Sequence, residues 1–481
     1  MKKYLLLFLS FSYLEGKIDT KKALDYDTWL QTFGEVINLF ENFYYKEIDP
    51  INSMPLAIKA FAEQDPHTTY LNEKACAELN EKMSGEFCGI GVALPGENKK
   101  NEEFLPIIEI IPGGPAEKAG LKAGDKIIQI DNDIIKGLEL EEIMPKLRGE
   151  KGTKVAIKIM RAPLQDPLTI EVMRDIVKEE IVLAYFFQEH KVYYLLLSIF
   201  GEKSDTLVKK IIEKAIHKNA RGLIIDLRNN TGGLFDSALE IAALFLPKGS
   251  PVVSIKKRDG SLASEWKTKH TPMTLPSTMP IFIVVNNYTA SSSEILSGVL
   301  QSYAHQKNQL NVFVIGEETF GKGSIQEVIP VGNKGAVKLT TGLYYLPDGK
   351  CIQGKGIIPD FVIEQRTPPT ETMQWLSKSY GKESALHGHI KQDDRTSNTK
   401  TDTSKQNSEK KNLEEMPWKE RREEILSNDY HIQNTLNLIN LFHAGRTHYE
   451  KETKNHVKMI DFIKKQHVID VPIKLEEVKL N

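Results

Sequence analysis

The chain has 481 residues, and because a domain typically has ~100 to 200 residues, this length excludes a single small binding module. The 63 Lys and Arg residues nearly balance the 65 Asp and Glu residues, which excludes recruitment of nucleic acid by a global basic field. The three cysteines, Cys76, Cys88 and Cys351, are too few and too scattered for a disulfide framework or a tetrahedral zinc site. We therefore expect buried free thiols.

The N-terminus has the pattern of a secretory signal. Lys2 and Lys3 precede the apolar run 4–9, and Ser10-Phe11-Ser12 then matches a small-x-small cleavage site. The run is too short for the ~20 residues that span a bilayer. We expect residues 1–20 to direct export to the periplasm or cell envelope. An uncleaved anchor, which would keep the protein on the membrane, and a plain amphipathic start are the alternatives.

The next region is predicted to be helical. In 27–45, apolar residues recur every three or four positions, as on one face of a helix. A second short helix is predicted over 56–62, and Asp65-Pro66-His67-Thr68 is typical of a turn. We assign residues 21–83 to an N-terminal helical region.

Residues 84–162 have the pattern of a compact β-rich module, with short β-prone runs separated by turns rich in Gly and Pro. The loop Gly89-Ile90-Gly91 enters a strand, and Gly-Gly-Pro-Ala follows at 113–116. Backbone N–H groups in such a loop can hold a peptide carboxylate while the strand edge accepts an added strand. The module resembles a PDZ domain. Arg148, near the end of its second helical stretch, is a candidate sensor of a bound peptide, although a solvated surface arginine is the simpler interpretation.

Strands alternate with helices over 163–365, which predicts an α/β domain. The near-continuous apolar runs 223–227, 281–285 and 312–315 are typical of strands covered on both faces. The polar stretch within 366–415 predicts a linker, and 416–481 is predicted to be a C-terminal helical extension. The fold class expected for the whole chain is therefore multidomain α+β.

Three segments of the α/β region could carry chemistry, and each also has a purely structural interpretation. Ser291, Ser292 and Ser293 lie between a strand and a helix, where they could cap the helix or supply a nucleophile beside first-turn N–H groups. Lys322 lies between two glycines, either in a simple turn or buried with a lowered pKa as a general base; Gly323 excludes a Walker loop. Gly232 and Gly233 follow a buried strand as a turn or as an anion-binding nest.

Taken in this order behind a PDZ-like module, the segments resemble the C-terminal processing peptidases, also called tail-specific proteases, over about 27–362. The shared motifs are Asp65-Pro66-His67, Gly89-Ile90-Gly91, Asp226-Leu227-Arg228-Asn229 with Gly232-Gly233, Ala290-Ser291 with Ser293-Glu294, Gly321-Lys322-Gly323 with Gln326, and Gly354-Lys355-Gly356-Ile357 with Pro359-Asp360.

The resemblance implies a serine endopeptidase with Ser291 as nucleophile and Lys322 as general base. Gln326 would orient the lysine, and Glu294 matches the family's acidic residue. The oxyanion would rest on the backbone N–H of Ser292 and of either Gly232 or Gly233. No cofactor or metal is expected to take part.

The chain departs from the family pattern at the position after the nucleophile, where Ser292 replaces the usual alanine. A Ser/His/Asp triad is disfavoured because no Gly-x-Ser-x-Gly elbow surrounds Ser291. The rival class is a non-catalytic PDZ scaffold that binds protein C-termini. The expected partners are proteins or peptides with free C-termini and not nucleic acid; association with a membrane through the N-terminus and assembly into a homo-oligomer are left open.

Overall fold

The computed structural model describes residues 20–95, 103–111, 113–164, 166–178, 181–307, 310–332, 335–364, 382–383, 426, 428–449 and 456–466. The chain divides into two compact units, Met1–Ala62 and Glu63–Asn481. Residues 1–19 of the predicted signal, 1–20, and nearly all of the predicted linker, 366–415, lie outside the described residues. No described helix combines the length and apolar character that crossing a bilayer requires.

The first unit contains two helices, α1 (Thr20–Phe43) and α2 (Pro50–Ala62). They extend the predicted helices 27–45 and 56–62 at their N-terminal ends, and Pro55 lies inside α2 without ending it. Large apolar side chains on both helices are exposed, among them Trp29 and Phe43.

The second unit starts with β1 (Thr69–Leu71) and α3 (Glu73–Ser84), and the PDZ-like module follows them. Its elements are β2 (Glu86–Gly89), β3 (Val92–Ala93), β4 (Leu105–Pro106), β5 (Glu109–Ile110), α4 (Pro115–Ala119), β6 (Lys126–Ile130), β7 (Asp133–Ile134), α5 (Leu140–Leu147), β8 (Lys154–Met160) and β9 (Leu168–Met173). The main sheet has the order β4-β6-β8-β9, with β7 beside β6. Alternate residues of β8 are buried, as expected for a strand with one face on a core. The sheet continues through β9 and so passes the predicted boundary at 162.

A six-stranded sheet forms the centre of the α/β domain, in the order β11-β12-β13-β16-β17-β20. The strands are β11 (Val182–Phe187), β12 (Val192–Leu197), β13 (Gly222–Asp226), β16 (Ile281–Val285), β17 (Val312–Gly316) and β20 (Phe361–Val362). All neighbours run parallel except β11 and β12. The predicted apolar runs are thus the three central parallel strands, which are fully buried.

Helices cover both faces of this sheet. Alternate strand residues point to opposite faces, and since the central strands are buried throughout, both faces have to be covered. One face packs against α6 (Ser204–His217), α7 (Phe235–Ala243) and α8 (Ser292–Lys307). The other face, which includes Phe282 and Phe313, packs against α9 (Tyr430–Tyr449) and α10 (His456–Gln466). The C-terminal helices are therefore part of the domain core.

A second sheet lies beside the first, in the order β1-β19-β14-β15 with β18 beside β19. Its remaining strands are β14 (Pro251–Lys256), β15 (Leu262–Lys267), β18 (Ser324–Val331) and β19 (Gly335–Tyr345), and β10 (Asp175–Lys178) pairs separately with β2. Since the carboxyl ends of parallel strands meet at one sheet edge, the loops after β13, β16 and β17 converge there. Multidomain α+β architecture is confirmed.

Candidate active site

Ser291 lies in the loop between β16 and α8, directly before the helix. Its φ of 56° is in the left-handed region, which non-glycine residues rarely adopt and which is frequent at active sites. The hydroxyls of Ser292 and Ser293 are engaged, donating to Gly233 O at 3.1 Å and to Asn230 O at 2.9 Å. Ser291 is the least buried of the three, and its hydroxyl forms no hydrogen bond with a described residue. Of the three serines, it alone presents an uncommitted hydroxyl.

Lys322 lies in the loop that joins β17 to β18. Burial lowers the pKa of its amine to about 8, and repulsion from Lys338 acts in the same direction, against attraction from Glu383, Glu294 and Asp65. Within the described part of the chain its amine takes part in no hydrogen bond or ion pair. The amine is therefore neutral in a useful fraction of molecules near neutral pH, as a general base requires.

A buried carboxylate joins the serine loop to the lysine loop. Glu294 Oε2 accepts the backbone N–H of Ser291 at 2.8 Å and that of Lys322 at 2.9 Å. Its Oε1 accepts the N–H of Gly321 at 2.7 Å and the hydroxyl of Thr319. Burial raises the pKa of Glu294 to about 7 although these four donors favour its charged form. Glu294 thereby fixes the backbones of the two candidate catalytic residues relative to each other.

Tyr344 ties the same two loops on their carbonyl side. Its buried hydroxyl lies 2.8 Å from Lys322 O and 3.3 Å from Ser291 O. Tyr344 comes from β19, so the second sheet supports the pairing of the two loops. Nothing in the sequence motifs singled it out.

The two glycines of the third segment have different partners. The N–H of Gly232 donates to Asn230 Oδ1 at 2.9 Å, whereas the N–H groups of Gly233 and Ser292 donate to no described residue. Gly232 has a φ of 103°, and a Cβ there would lie 2.9 Å from Ser291 Cβ. Glycine at 232 thus allows the backbone to approach the serine, and Gly233 keeps its N–H available for an oxyanion.

Gln326 does not hydrogen-bond to the Lys322 amine directly, as the resemblance implies that it would. Its amide donates to Ser324 Oγ at 2.9 Å and to Thr340 Oγ1 at 3.2 Å, with no hydrogen bond to the Lys322 amine. The Thr340 hydroxyl in turn contacts Asp65 Oδ1 at 3.2 Å. Gln326 therefore joins the lysine-bearing segment to the Asp-Pro-His turn.

Sequence reasoning missed a second connection between the Asp-Pro-His turn and the lysine loop. It passes through Glu383, which is 1% exposed. Its carboxylate lies 2.7 Å from His67 Nε2 and accepts from Gln353 Nε2 at 2.8 Å. Gln353 Oε1 accepts the N–H of Gly323, the neighbour of Lys322, at 2.8 Å. Glu383 falls in the predicted linker, where polar composition offered no signal of burial. No described histidine hydrogen-bonds to Ser291.

The PDZ-like module contains a groove lined by its loop Gly89-Ile90-Gly91, by Met144 and Leu147 of α5, and by Arg148 and Lys178. The N–H groups of Ile90 and Gly91 donate to no described residue. The Arg148 guanidinium lies 5.1 Å from the Phe87 ring centre and 3.3 Å from Glu81 Oε2. The groove thus combines backbone donors and cations with an apolar wall, as a peptide C-terminus requires.

Comparisons with known proteins agree with these two regions. Residues 191–363 match the model of peptidase family S41, and residues 78–160 match that of the PDZ domain. A carboxy-terminal-processing protease of Bartonella bacilliformis is 35% identical over 367 residues, covering 75% of this chain and 80% of that protein. The carboxy-terminal processing protease CtpB of Bacillus subtilis is 29% identical over 372 residues, covering 76% and 75%. Among solved structures, a photosystem II D1 C-terminal processing protease matches 73% of this chain and 92% of its own at 24% identity, with a TM-score of 0.40.

Proposed function

Because the chain belongs to peptidase family S41 and is a serine-type peptidase, we propose that Ser291 and Lys322 form its catalytic dyad. The observation that carries this proposal is that one oxygen of the Glu294 carboxylate, Oε2, accepts the backbone N–H groups of both residues. The uncommitted hydroxyl of Ser291 and the lowered pKa of Lys322 supply the chemical states that nucleophile and base need.

The reaction begins when the neutral Lys322 amine removes the proton of Ser291 Oγ as that oxygen attacks the scissile carbonyl. The tetrahedral oxyanion accepts the N–H groups of Ser292 and Gly233. Lys322 then gives its proton to the leaving amine, and the acyl group stays on Ser291. Water, deprotonated by Lys322, attacks the ester, and the acid product leaves with Ser291 Oγ protonated again.

The substrate class follows from the groove of the PDZ domain. A free carboxylate fits the N–H groups of Ile90 and Gly91. The positive side chains of Arg148 and Lys178 also attract its negative charge. The peptidase therefore takes proteins with free C-terminal tails, and Arg148 senses the occupied groove through its contact with Glu81 on α3. The test is mass spectrometry of an unfolded protein incubated with the purified chain. Products with new C-termini are expected, and an intact substrate would favour the non-catalytic scaffold.

Export is the second part of the proposal, and it rests on the N-terminal pattern alone. Lys2, Lys3 and the apolar run 4–9 favour delivery to the periplasm or cell envelope. N-terminal sequencing of the chain from fractionated cells tests it. A full-length chain in the cytoplasmic fraction would contradict export.

Recognition of the tail gives a testable expectation. Amidating a peptide's C-terminus removes the charge that the groove is arranged to bind, so kcat/KM should fall about tenfold or more. The measurement compares the free-acid and amidated forms of one peptide, with a same-size internal substitution as control. Arg148→Ala should reduce the difference in kcat/KM between the free-acid and amidated peptides. Equal kcat/KM for both peptides in the native enzyme would show that the groove does not recognise C-termini.

Glu383 should influence the base through its charge. Its attraction raises the pKa of Lys322, so Glu383→Gln should move the acidic limb of the kcat/KM profile to lower pH. Glutamine can still accept from Gln353, whereas Glu383→Ala removes this support of the lysine loop and should lower kcat/KM about tenfold.

The matched control for Glu383→Gln is Glu318→Gln. It also removes one carboxylate near the lysine loop, but from an exposed pair with Lys382. This variant should leave the profile in place because exposed pairs are strongly screened. Equal profiles for Glu383→Gln and the native enzyme would contradict an electrostatic role.

A further inference from the structure

Three side chains with metal-binding atoms meet at the end of α8 opposite to Ser291. They are His305 in the last turn of α8, Asp360 directly before β20, and His456 at the start of α10. One ligand atom from each lies within 4.8 Å of the others. The three residues come from segments distant in sequence, so the tertiary fold alone brings them together.

Asp360 is held in place by neighbours that leave it able to bind an ion. Its Oδ2 accepts the N–H of Val314 at 2.8 Å, and its Oδ1 accepts the amide of Gln301 at 3.0 Å. The same Oδ1 lies 2.8 Å from His305 Nε2. Hydrogen bonds of this kind to a ligating carboxylate orient it for a metal.

The two imidazoles differ in exposure in a way that suits a metal site. His456 is 5% exposed and stacks on Phe313, with ring centres 4.6 Å apart. The His305 side chain is 38% exposed, which gives an ion access from solvent and room for the ring to turn.

We propose that His305, Asp360 and His456 form a binding site for a divalent transition-metal ion of the Zn²⁺ class. Two imidazoles and one carboxylate form a donor set that Zn²⁺ accepts, with water as the fourth ligand. Metal–ligand bonds of about 2 Å place tetrahedral ligand atoms about 3.3 Å apart. This separation falls between the 2.8 Å contact of His305 with Asp360 and the 4.8 Å limit of the cluster.

The proposed ion has a structural role and no part in peptide cleavage. His305 is fourteen residues beyond Ser291 along α8, about 20 Å at the helical rise of 1.5 Å per residue. Binding would join α10 to α8 and to the strand that follows Asp360. It would thereby stabilise the packing of the C-terminal helices on the central sheet.

The experiment uses the full-length chain, stripped with a chelator and then dialysed. Zn²⁺ affinity is measured by competition with a chromophoric chelator, the absorption of bound Co²⁺ reports the ligand geometry, and Tm is followed with and without Zn²⁺. We expect one ion per chain, a tetrahedral Co²⁺ spectrum and a Tm raised by about 2 °C or more. His305→Gln and His456→Ala should each weaken Zn²⁺ binding at least tenfold.

The matched control is His217→Ala, which removes an exposed histidine of α6 and should leave affinity unchanged. Because His305 is partly exposed, His305→Gln keeps the test valid if His456→Ala fails to fold. Absence of binding to the native chain, or equal affinity in native and His305→Gln proteins, would overturn the proposal. None of these readouts uses peptidase activity, so the result is independent of the catalytic assignment.

Discussion

Ser291→Ala is expected to abolish peptide cleavage, lowering kcat by about 10³-fold or more, because no other hydroxyl can be aligned with Lys322 and the two oxyanion donors. The hydroxyls of Ser292 and Ser293 already donate to the carbonyls of Gly233 and Asn230. Ser292→Ala and Ser293→Ala should therefore lose about 1 kcal/mol of stability and retain most activity. Initial rates on one peptide and the free energy of unfolding measure the two effects.

These two variants are the matched controls for Ser291→Ala, since each also removes one serine hydroxyl from the same turn. Full activity of Ser291→Ala, or inactivity of a correctly folded Ser293→Ala, would show that the nucleophile is misassigned. Circular dichroism of all three variants separates loss of chemistry from loss of fold.

Lys322→Arg is expected to be as inactive as Lys322→Ala, because a guanidinium stays protonated and cannot accept the serine proton. In the native enzyme, kcat/KM should rise with pH to a plateau above about 8, the pKa to which burial lowers the Lys322 amine. Below about 7, protonation of Glu294 also weakens the carboxylate that holds the two loops, which steepens the fall.

The same pKa gives a stability measurement that does not depend on activity. The unfolded chain holds the lysine proton up to about 10.4, so the cost of burying Lys322 is fully present below about 8 and disappears as pH rises through this interval. Lys322→Met should therefore be inactive but more stable than the native chain at pH 7, by about 1 to 3 kcal/mol. Urea unfolding at pH 7 and pH 10 measures this. An active Lys322→Arg, or a Lys322→Met that is less stable at pH 7, would contradict a desolvated base.

Much of the architecture could be predicted from sequence because its signals are local. The run 223–227 is apolar except for Asp226, and such a near-continuous apolar run is typical of a strand buried on both faces. Gly-Gly at 232–233 and Ser-Ser-Ser at 291–293 follow such strands, so their meeting at one sheet edge follows from parallel topology. The comparisons confirm the family, a PDZ domain followed by a peptidase core, and a serine-type peptidase. The roles of Ser291, Lys322 and Gln326 stay predictions.

The tertiary structure alone decided which backbone and side-chain groups of these motifs are free to bind a substrate, and which residues hold the motifs in place. Gly232 and Gly233 are equivalent in sequence, but only the fold aims the first N–H at Asn230 and leaves the second available. Glu383 has a polar local sequence, yet it is buried because His67 and Gln353 satisfy its carboxylate. The sequence predicts a helical extension over 416–481, but the surface on which these helices pack, the far face of the central sheet, is set by contacts between residues distant in sequence. A local pattern sets what a segment can form, whereas the partner of each buried polar or apolar group depends on long-range contacts that no local pattern contains.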